Sequence, residues 1–293
     1  MTASHDRLRR ILAGERCVTA ASVFDPVSAR IADHIGFEVG VMGGSVASFA
    51  VLGDPDLVLI TLSELAEQTR RVCRAGRLCV VVDADHGYGN ALNVMRTVQE
   101  LQAAGAAAIT IEDTMLPRGY GVAGRAPALV SLEEGLGKMK AALDARAGAG
   151  EDRGPLILAR TSAAGIAGVD DAIRRLRAYD ATGVDGLFVA GLRTRAELDR
   201  IADAVTLPLV LGGCHENLAD RDYLASRGVR LWLGGHQAFA AAVQAIHATL
   251  GDVHAGAAPS QLRDLAPGEL MMAITRTGYF ERKARKYLEG EDE

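Results

Sequence analysis

Residues 80 to 89 read Val-Val-Val-Asp-Ala-Asp-His-Gly-Tyr-Gly, a β-branched run that stops at two carboxylates and then turns through glycines. A short apolar run without alternation is buried on both faces, as strands of a parallel sheet are, and this one delivers Asp83 and Asp85 to the sheet's C-terminal edge. The rest of the chain can be placed relative to that edge. Two Asp at i and i+2 of a strand point the same way, so both can face one Mg2+ directly or through its waters. The spacing alone leaves a second reading open, in which one Asp caps the following helix and the other is a turn residue.

The same pattern recurs along the chain. Residues 5 to 14 predict a short amphipathic helix and Cys17 to Val23 a first strand. Asp25-Pro26 opens a helix to about Gly36, with Asp as N-cap and Pro at the first helical position. Val39 to Met42 is a second strand, followed by a loop, Gly43 to Ser48, and a looser segment, Gly53-Asp54-Pro55-Asp56. Thr61 and Glu64 have capping-box spacing ahead of the next helix. The third strand is the opening stretch; a helix over 92–104 leads to a fourth, Ala107 to Asp113, again ending in acids. Thr114 to Val130 is rich in Gly, Pro and Arg and has no periodicity, which marks a long mobile loop and a candidate lid. Helix 133–146 and a Gly/Ala turn over 147–154 lead to a fifth strand, Leu156 to Ala159, ending in Arg160-Thr161. Strands over 186–189, 207–211 and 229–233 follow, with helices over 169–182, 194–204 and 237–250. The last strand ends in Gly234-Gly235-His236.

Eight strands alternating with helices at roughly 25 to 30 residues apiece predict a (β/α)8 barrel, the TIM-barrel class of α/β fold. Neither a G-x-G-x-x-G after the first strand nor a P-loop supports a doubly wound sheet. The whole chain, 1–293, reads as one barrel domain with 251–293 as a C-terminal helical tail; within it, residues 265–293 form a charged helix that packs on a neighbouring subunit or on the barrel's outside.

Hydrophobic residues make up 49% but aromatics only 4%, so the core is built from Ala, Val, Leu and Ile. A formal net charge of −5 gives no field for a polyanion, which argues against nucleic acid as a partner. Cys17, Cys73, Cys79 and Cys214 form no CxxC pair and no zinc spacing, as expected of reduced thiols in a reducing compartment. The polar start, Met1 to Leu12, and the lack of any run of ~18 apolar residues predict a cytoplasmic protein without membrane contact.

In such a barrel the active site lies at the C-terminal ends of the strands. There stand Ser45, Asp83, Asp85, Glu112, Asp113, Arg160 and His236. Four carboxylates around one mouth repel one another unless a cation sits among them, and an Arg beside them can take a substrate carboxylate in bidentate fashion. Mg2+ plus an organic anion fits that set. The Gly43-Gly44-Ser45 loop offers backbone N–H groups and a hydroxyl for a carboxylate or phosphate. Taken singly, Arg160 also reads as a partner of a neighbouring strand end, Ser45 as a turn residue and His236 as a cap. His215 is as readily solvated as functional, and His5, His34, His247 and His254 lie on helices or tails.

Gly43-Gly44-Ser45, Asp83-Ala84-Asp85-x-Gly-Tyr-Gly, Ile111-Glu112-Asp113 and Ala159-Arg160-Thr161, in that order, resemble the phosphoenolpyruvate mutase/isocitrate lyase superfamily over nearly the whole chain. Ser22-Val23-Phe24-Asp25-Pro26, Gly43 to Ser48, Asp83 to Met95 and the Gly-His-x-Ala pattern at His236 are most similar to its oxaloacetate decarboxylase branch. The resemblance implies Mg2+, with Mn2+ as its substitute, bound directly by Asp83 and through waters by Asp85 and Glu112. It implies that Ser45, Arg160 and His236 contact a 2-oxo dicarboxylate, with Arg160 and His236 in the catalytic roles. The implied reaction is decarboxylation of oxaloacetate to pyruvate and CO2 through a metal-stabilised enolate, in a homotetramer of barrels that exchange their eighth helices. Two other readings are a phosphonomutase or C–C lyase acting on a related 2-oxo or 2-hydroxy acid, and a non-catalytic dicarboxylate-binding barrel. The lyase branch carries a Cys in a Lys-(Lys/Arg)-Cys-Gly-His loop and the mutase branch an Asn-rich gate, whereas 114–130 contains neither Cys nor Asn. Ser162 stands where the decarboxylase pattern has Asn, and Gly213-Cys214-His215 replaces a Tyr-bearing segment.

Overall fold

A computed structural model describes residues 4–121, 127–147 and 154–290. The sheet is parallel throughout: β1 (Val18–Thr19), β2 (Ala21–Ser22), β3 (Val39–Met42), β4 (Cys79–Asp83), β5 (Ala108–Glu112), β6 (Leu156–Thr161), β7 (Gly186–Ala190), β8 (Leu209–Gly212) and β9 (Val229–Leu233). Its order, β1-β9-β8-β7-β6-β5-β4-β3-β2, places two nearly contiguous segments at opposite edges. The stretch expected as one strand, Cys17 to Val23, is therefore a stave bent at Ala20. Its first half pairs with β9 and its second with β3, while Ala20 donates its N–H to Trp232 O at 2.9 Å. The bend lets one stave change neighbours, and the sheet curls into a barrel of the expected class.

Helices cover the outside. α1 (Ser4–Leu12) precedes the barrel, and α2 (Pro26–Ile35), α3 (Gly44–Val51), α4 (Leu62–Cys73), α5 (Ala91–Ala104), α6 (Leu132–Ala147), α7 (Ala163–Ile166), α8 (Val169–Asp180), α9 (Arg195–Ala202) and α10 (Arg221–Ser226) follow in chain order. Their starts are the sequence's own signals: Asp25 accepts the Ser28 N–H at 2.6 Å, and Thr61 and Glu64 form the reciprocal capping box. The segment Gly43 to Ser48, expected as a loop, opens α3 instead. The turn expected over 147–154 lies, apart from Ala147 and Gly154, outside the described residues, as does 122–126 of the long loop. What is described of that loop is pinned at its base: Met115 N–H bonds Ala128 O at 2.8 Å and Val130 N–H bonds Asp113 O at 2.9 Å.

Strand alternation sorts side chains into two cores. Val80, Val82, Ile109, Ile111, Ile157 and Leu187 face outward under the helices. Cys79, Val81, Ala108, Leu156, Leu158, Phe188 and Leu231 face inward, and Leu8 and Leu12 of α1 stopper that interior at its lower end. After β9 the regular wrapping stops: α11 (Gln237–His254) has no buried residue. The groove beside α2, where a helix after β9 would close the ring, is lined by Val27, Ile31, Ile35, Phe37, Trp232 and Ala238. The single charged helix expected at the end is α12 (Gly268–Thr275) and α13 (Thr277–Ala284), broken by Arg276 at φ 61°, with a π-helical turn over Arg285–Glu289 continuing α13. α12 packs on the barrel's outside, where Ile274 is buried and Arg30 donates to Ile274 O at 3.4 Å. Residues 291–293 of the expected tail helix lie outside the described residues.

Candidate active site

The strand ends converge on a cleft of about 250 Å3 lined by, among others, Ser45, Asp56, Asp83, Asp85, Glu112, Arg160 and His236. Six of these are the expected residues. Asp83, Glu112 and Arg160 arrive by strand parity, each ending or nearly ending β4, β5 or β6 on the inward face, with Asp83 in register with Thr110 and Glu112 with Arg160. Asp83 Oδ1 accepts from Thr110 Oγ1 at 2.9 Å and from the Asp85 N–H at 3.2 Å, and Oδ2 accepts from Arg160 Nη1. Arg160 Nε lies 3.3 Å from Glu112 Oε2 without hydrogen-bond alignment, and the guanidinium stands 5.5 Å over the Phe188 ring. Arg160 thus both pairs with the carboxylates of neighbouring strand ends and lines the cleft.

Asp85 reaches the cleft by another route. The strand ends at Asp83, and Asp85 sits in a left-handed turn at φ 48°, followed by Gly87 at 83° and Tyr88 at 62°. The sequence expectation of two Asp on one strand face is corrected accordingly: the turn, not the pleat, aims the second carboxylate. Gly44 makes the room, since a Cβ there would stand 2.5 Å from Asp85 Oδ1. Gly43 does the same for His236, whose Cε1 and Nε2 would lie 2.8 and 2.9 Å from a Cβ. The other imidazole nitrogen, Nδ1, shares a hydrogen bond of 2.7 Å with Ser22 Oγ, so Nε2 is the one left toward Gly43 and the cleft. Ser45 lies in the first turn of α3, whose N-terminal N–H groups suit an anion as the expected loop would have done.

The electrostatics are those of crowded acids. Burial raises the Asp83 carboxyl, but the charge and hydrogen bond of Arg160 outweigh it and hold it below the ordinary range. Asp85 is pushed well up by burial and then by the charges of Asp83, Glu112 and Asp56. Burial likewise raises Glu112 and Asp56, and it lowers the His236 imidazole. One guanidinium does not balance four carboxylates, and Asp85 Oδ2 is a buried acceptor with no hydrogen-bond partner.

Among the described residues no three His, Cys, Asp or Glu side chains are grouped to hold a metal by themselves. A hard cation that keeps waters needs only one or two carboxylates. The orphaned Asp85 oxygen, with all-oxygen donors on Asp83 and Glu112 beside it, fits such a hydrated ion.

Asp113 was expected at the same mouth and is not there. It directly follows Glu112, so strand parity turns it outward, where it is 1% exposed and accepts from Thr161 Oγ1 at 3.0 Å, Tyr179 Oη at 2.8 Å and Arg175 Nη1 at 3.1 Å. The fourth carboxylate of the cleft is Asp56, from the segment read only as loose. Its signal was the lone Pro-Asp ahead of a non-helical stretch, which no periodicity flags. His215 is exposed and does not line the cleft; its Nδ1 accepts from the Asn217 N–H at 3.3 Å and caps a short 3-10 turn. Burial raises the neighbouring Cys214 thiol to about 11, which leaves it protonated near neutral pH. Among the described residues no helix is long and apolar enough to cross a membrane.

A family model described as phosphoenolpyruvate phosphomutase matches residues 8–254. An oxaloacetate decarboxylase of Bradyrhizobium sp. (strain BTAi1) is 55% identical over 287 residues, covering 98% of each chain. One from Rhodopseudomonas palustris (strain BisA53) is 57% identical over 281 residues, 96% of this chain and 95% of the other. In structure, a phosphonopyruvate hydrolase crystallised with oxalate and Mg2+ superposes with a TM-score of 0.84 at 27% identity, covering 98% of this chain and all of the other.

Proposed function

Because this chain belongs to the phosphoenolpyruvate phosphomutase family, we propose that it is a carboxy-lyase that removes CO2 from oxaloacetate and leaves pyruvate, with Mg2+ or Mn2+ as cofactor. Full-length relatives named for that reaction support the substrate. The observation that carries the chemistry is the buried, unpartnered Asp85 Oδ2 beside an Asp83–Arg160–Glu112 cluster. Asp83 would hold the ion directly, Asp85 and Glu112 through its waters. When bound, the cation supplies a Lewis acid for the negative charge that builds on the keto oxygen as the C3–C4 bond breaks.

The chain's own groups do the rest. Arg160 and the N-terminal N–H groups of α3 around Ser45 bind the carboxylate that stays. With the Ser22 hydroxyl on Nδ1, His236 presents Nε2–H to the departing carboxylate and orients it, or, once CO2 has left, relays the proton that C3 of the enolate takes up to give pyruvate. Phe188 and Leu116 line the cleft and keep water from the reacting carbons. No activated Ser or Cys is required, in keeping with a C–C cleavage whose electrons have a carbonyl to flow into.

The same reading extends to the whole chain, as one barrel domain over 1–293 with a tail from 251, acting on a small 2-oxo dicarboxylate. It also extends to assembly. α11 has no fully buried residue on its own subunit, where Phe239 packs on the rings of Phe24 and Phe49; a groove beside α2 stays open, and the occupant we assign is α11 of a second copy, within a homotetramer. The decisive experiment is a time course of CO2 and pyruvate from oxaloacetate with Mg2+, corrected for the metal-only rate. Turnover that EDTA abolishes and Mg2+ restores is expected; an enzyme indifferent to EDTA would refute the metal reading, and ligand-induced stabilisation without turnover would leave a binding barrel.

A further inference from the structure

Lys138, on α6, is 2% exposed, and its position calls for an explanation, because a buried ammonium is costly unless something nearby needs it. Its Nζ donates to His86 O at 3.0 Å, and the nearest carboxylate oxygen, Glu134 Oε1, is 3.9 Å away. Burial pulls its pKa down, opposed by the acids Glu134 on its own helix, Asp113 just past β5 and Glu112 at the end of β5.

The carbonyl it holds belongs to the turn that aims Asp85. Four consecutive carbonyls of that turn have named donors: Ala84 O takes the Gly87 N–H at 2.8 Å, Asp85 O the Glu112 N–H at 2.8 Å, His86 O takes Lys138, and Gly87 O takes Thr97 Oγ1 at 3.0 Å. Three of the donors come from outside the turn, from β5, α6 and α5. Asp85 and Tyr88 hold left-handed backbone that non-glycine residues keep only when their surroundings over-determine it. Lys138 is the one charged member of that set.

We infer that Lys138 is a positioning residue for the cation site: by tethering His86 O from behind, it fixes the turn that presents the Asp85 carboxylate to the cleft. The inference rests on the metal reading above and deepens it. It makes a sign prediction, which separates it from simple electrostatics. Removing a positive charge near a cation site strengthens cation binding if charge alone matters; removing a tether weakens it.

The test is Mn2+ binding to the folded, substrate-free protein, read by electron paramagnetic resonance. Wild type is expected to bind one Mn2+ that Asp83→Ala loses. Lys138→Met, which matches the aliphatic stem, should bind Mn2+ about 10-fold more weakly, the range typical of lost outer-sphere support. Lys138→Arg, which keeps a donor and the charge, should stay within about threefold of wild type on the same scale. Equal or tighter binding in Lys138→Met overturns the inference and leaves the metal reading standing. Should that variant fail to fold, Lys138→Leu, also neutral and without a donor, carries the same sign test. A wild-type protein with no Mn2+ site sensitive to Asp83 removes the metal reading and this inference together.

Discussion

A methyl group on Gly44 would fall 2.5 Å from the Asp85 carboxylate, and one on Gly43 2.8 Å from His236; both glycines are explained by what lies across from them in space. Gly44→Ala is therefore expected to lower kcat/KM by at least about 10-fold by displacing that carboxylate, with little change in the thermal midpoint. Asp83→Ala removes both a proposed ligand and the partner of Arg160, so Mg2+-dependent pyruvate release should fall by more than the about 100-fold typical of outer-sphere changes. Ser22→Ala frees the imidazole to turn. A loss of about 10-fold in kcat with KM nearly unchanged, partly restored in Ser22→Thr, is the steady-state signature of an orienting group; a pure KM effect would contradict it. Six cleft residues were legible because each stands at the end of a strand or in the motif after it. Asp56 was not, since an irregular segment carries no period to place its side chain, and Ser22 could be read as part of a motif but not as a partner of His236, 214 positions away.

At the level of single elements, β5 and β6 do two jobs by alternation. Glu112 and Arg160 look into the cleft; the very next residues, Asp113 and Thr161, look out and bond each other at 3.0 Å, with Arg175 and Tyr179 of α8 closing the cluster. The outer pair thereby fixes the register of the inner one. Asp113→Ala leaves a buried guanidinium short of one partner and is expected to cost about 3 kcal/mol in urea unfolding, the scale of a broken buried pair. A loss under about 1 kcal/mol, typical of an exposed pair, would show that the cluster is not what holds the strands. Reading both acids of Ile-Glu-Asp into one mouth ignored that period of two. Most strands and helices were legible from apolar runs and caps, whereas α3 was not, because it starts at two glycines and its helix is settled by Asp85 and His236 packing against them rather than by propensity. The bend at Ala20 was equally invisible, since a change of partner within one stave leaves no mark on an apolar pattern.

Across the whole molecule, the proposed assembly would seat α11 of a second copy in the groove beside α2. Ile35, 66% exposed on that groove, offers a direct probe: Ile35→Glu is expected to keep the far-ultraviolet circular dichroism of the wild type while light scattering reports a smaller particle. An unchanged mass would remove the exchanged-helix arrangement. The barrel class itself was legible from the spacing of strands and helices; the exchange of the last helix entered only through the family resemblance, because a helix that wraps its own barrel and one that wraps a neighbour share the same amphipathic text. At the opposite pole, Leu8 and Leu12 plug the interior. Among the described residues the barrel is thus a cup sealed at its foot, and arrival and departure share the mouth above the cleft. Whatever leaves must clear the rim before the next molecule enters, so a spent acid that lingers there competes directly with a fresh one, and pyruvate should inhibit by raising the apparent KM alone.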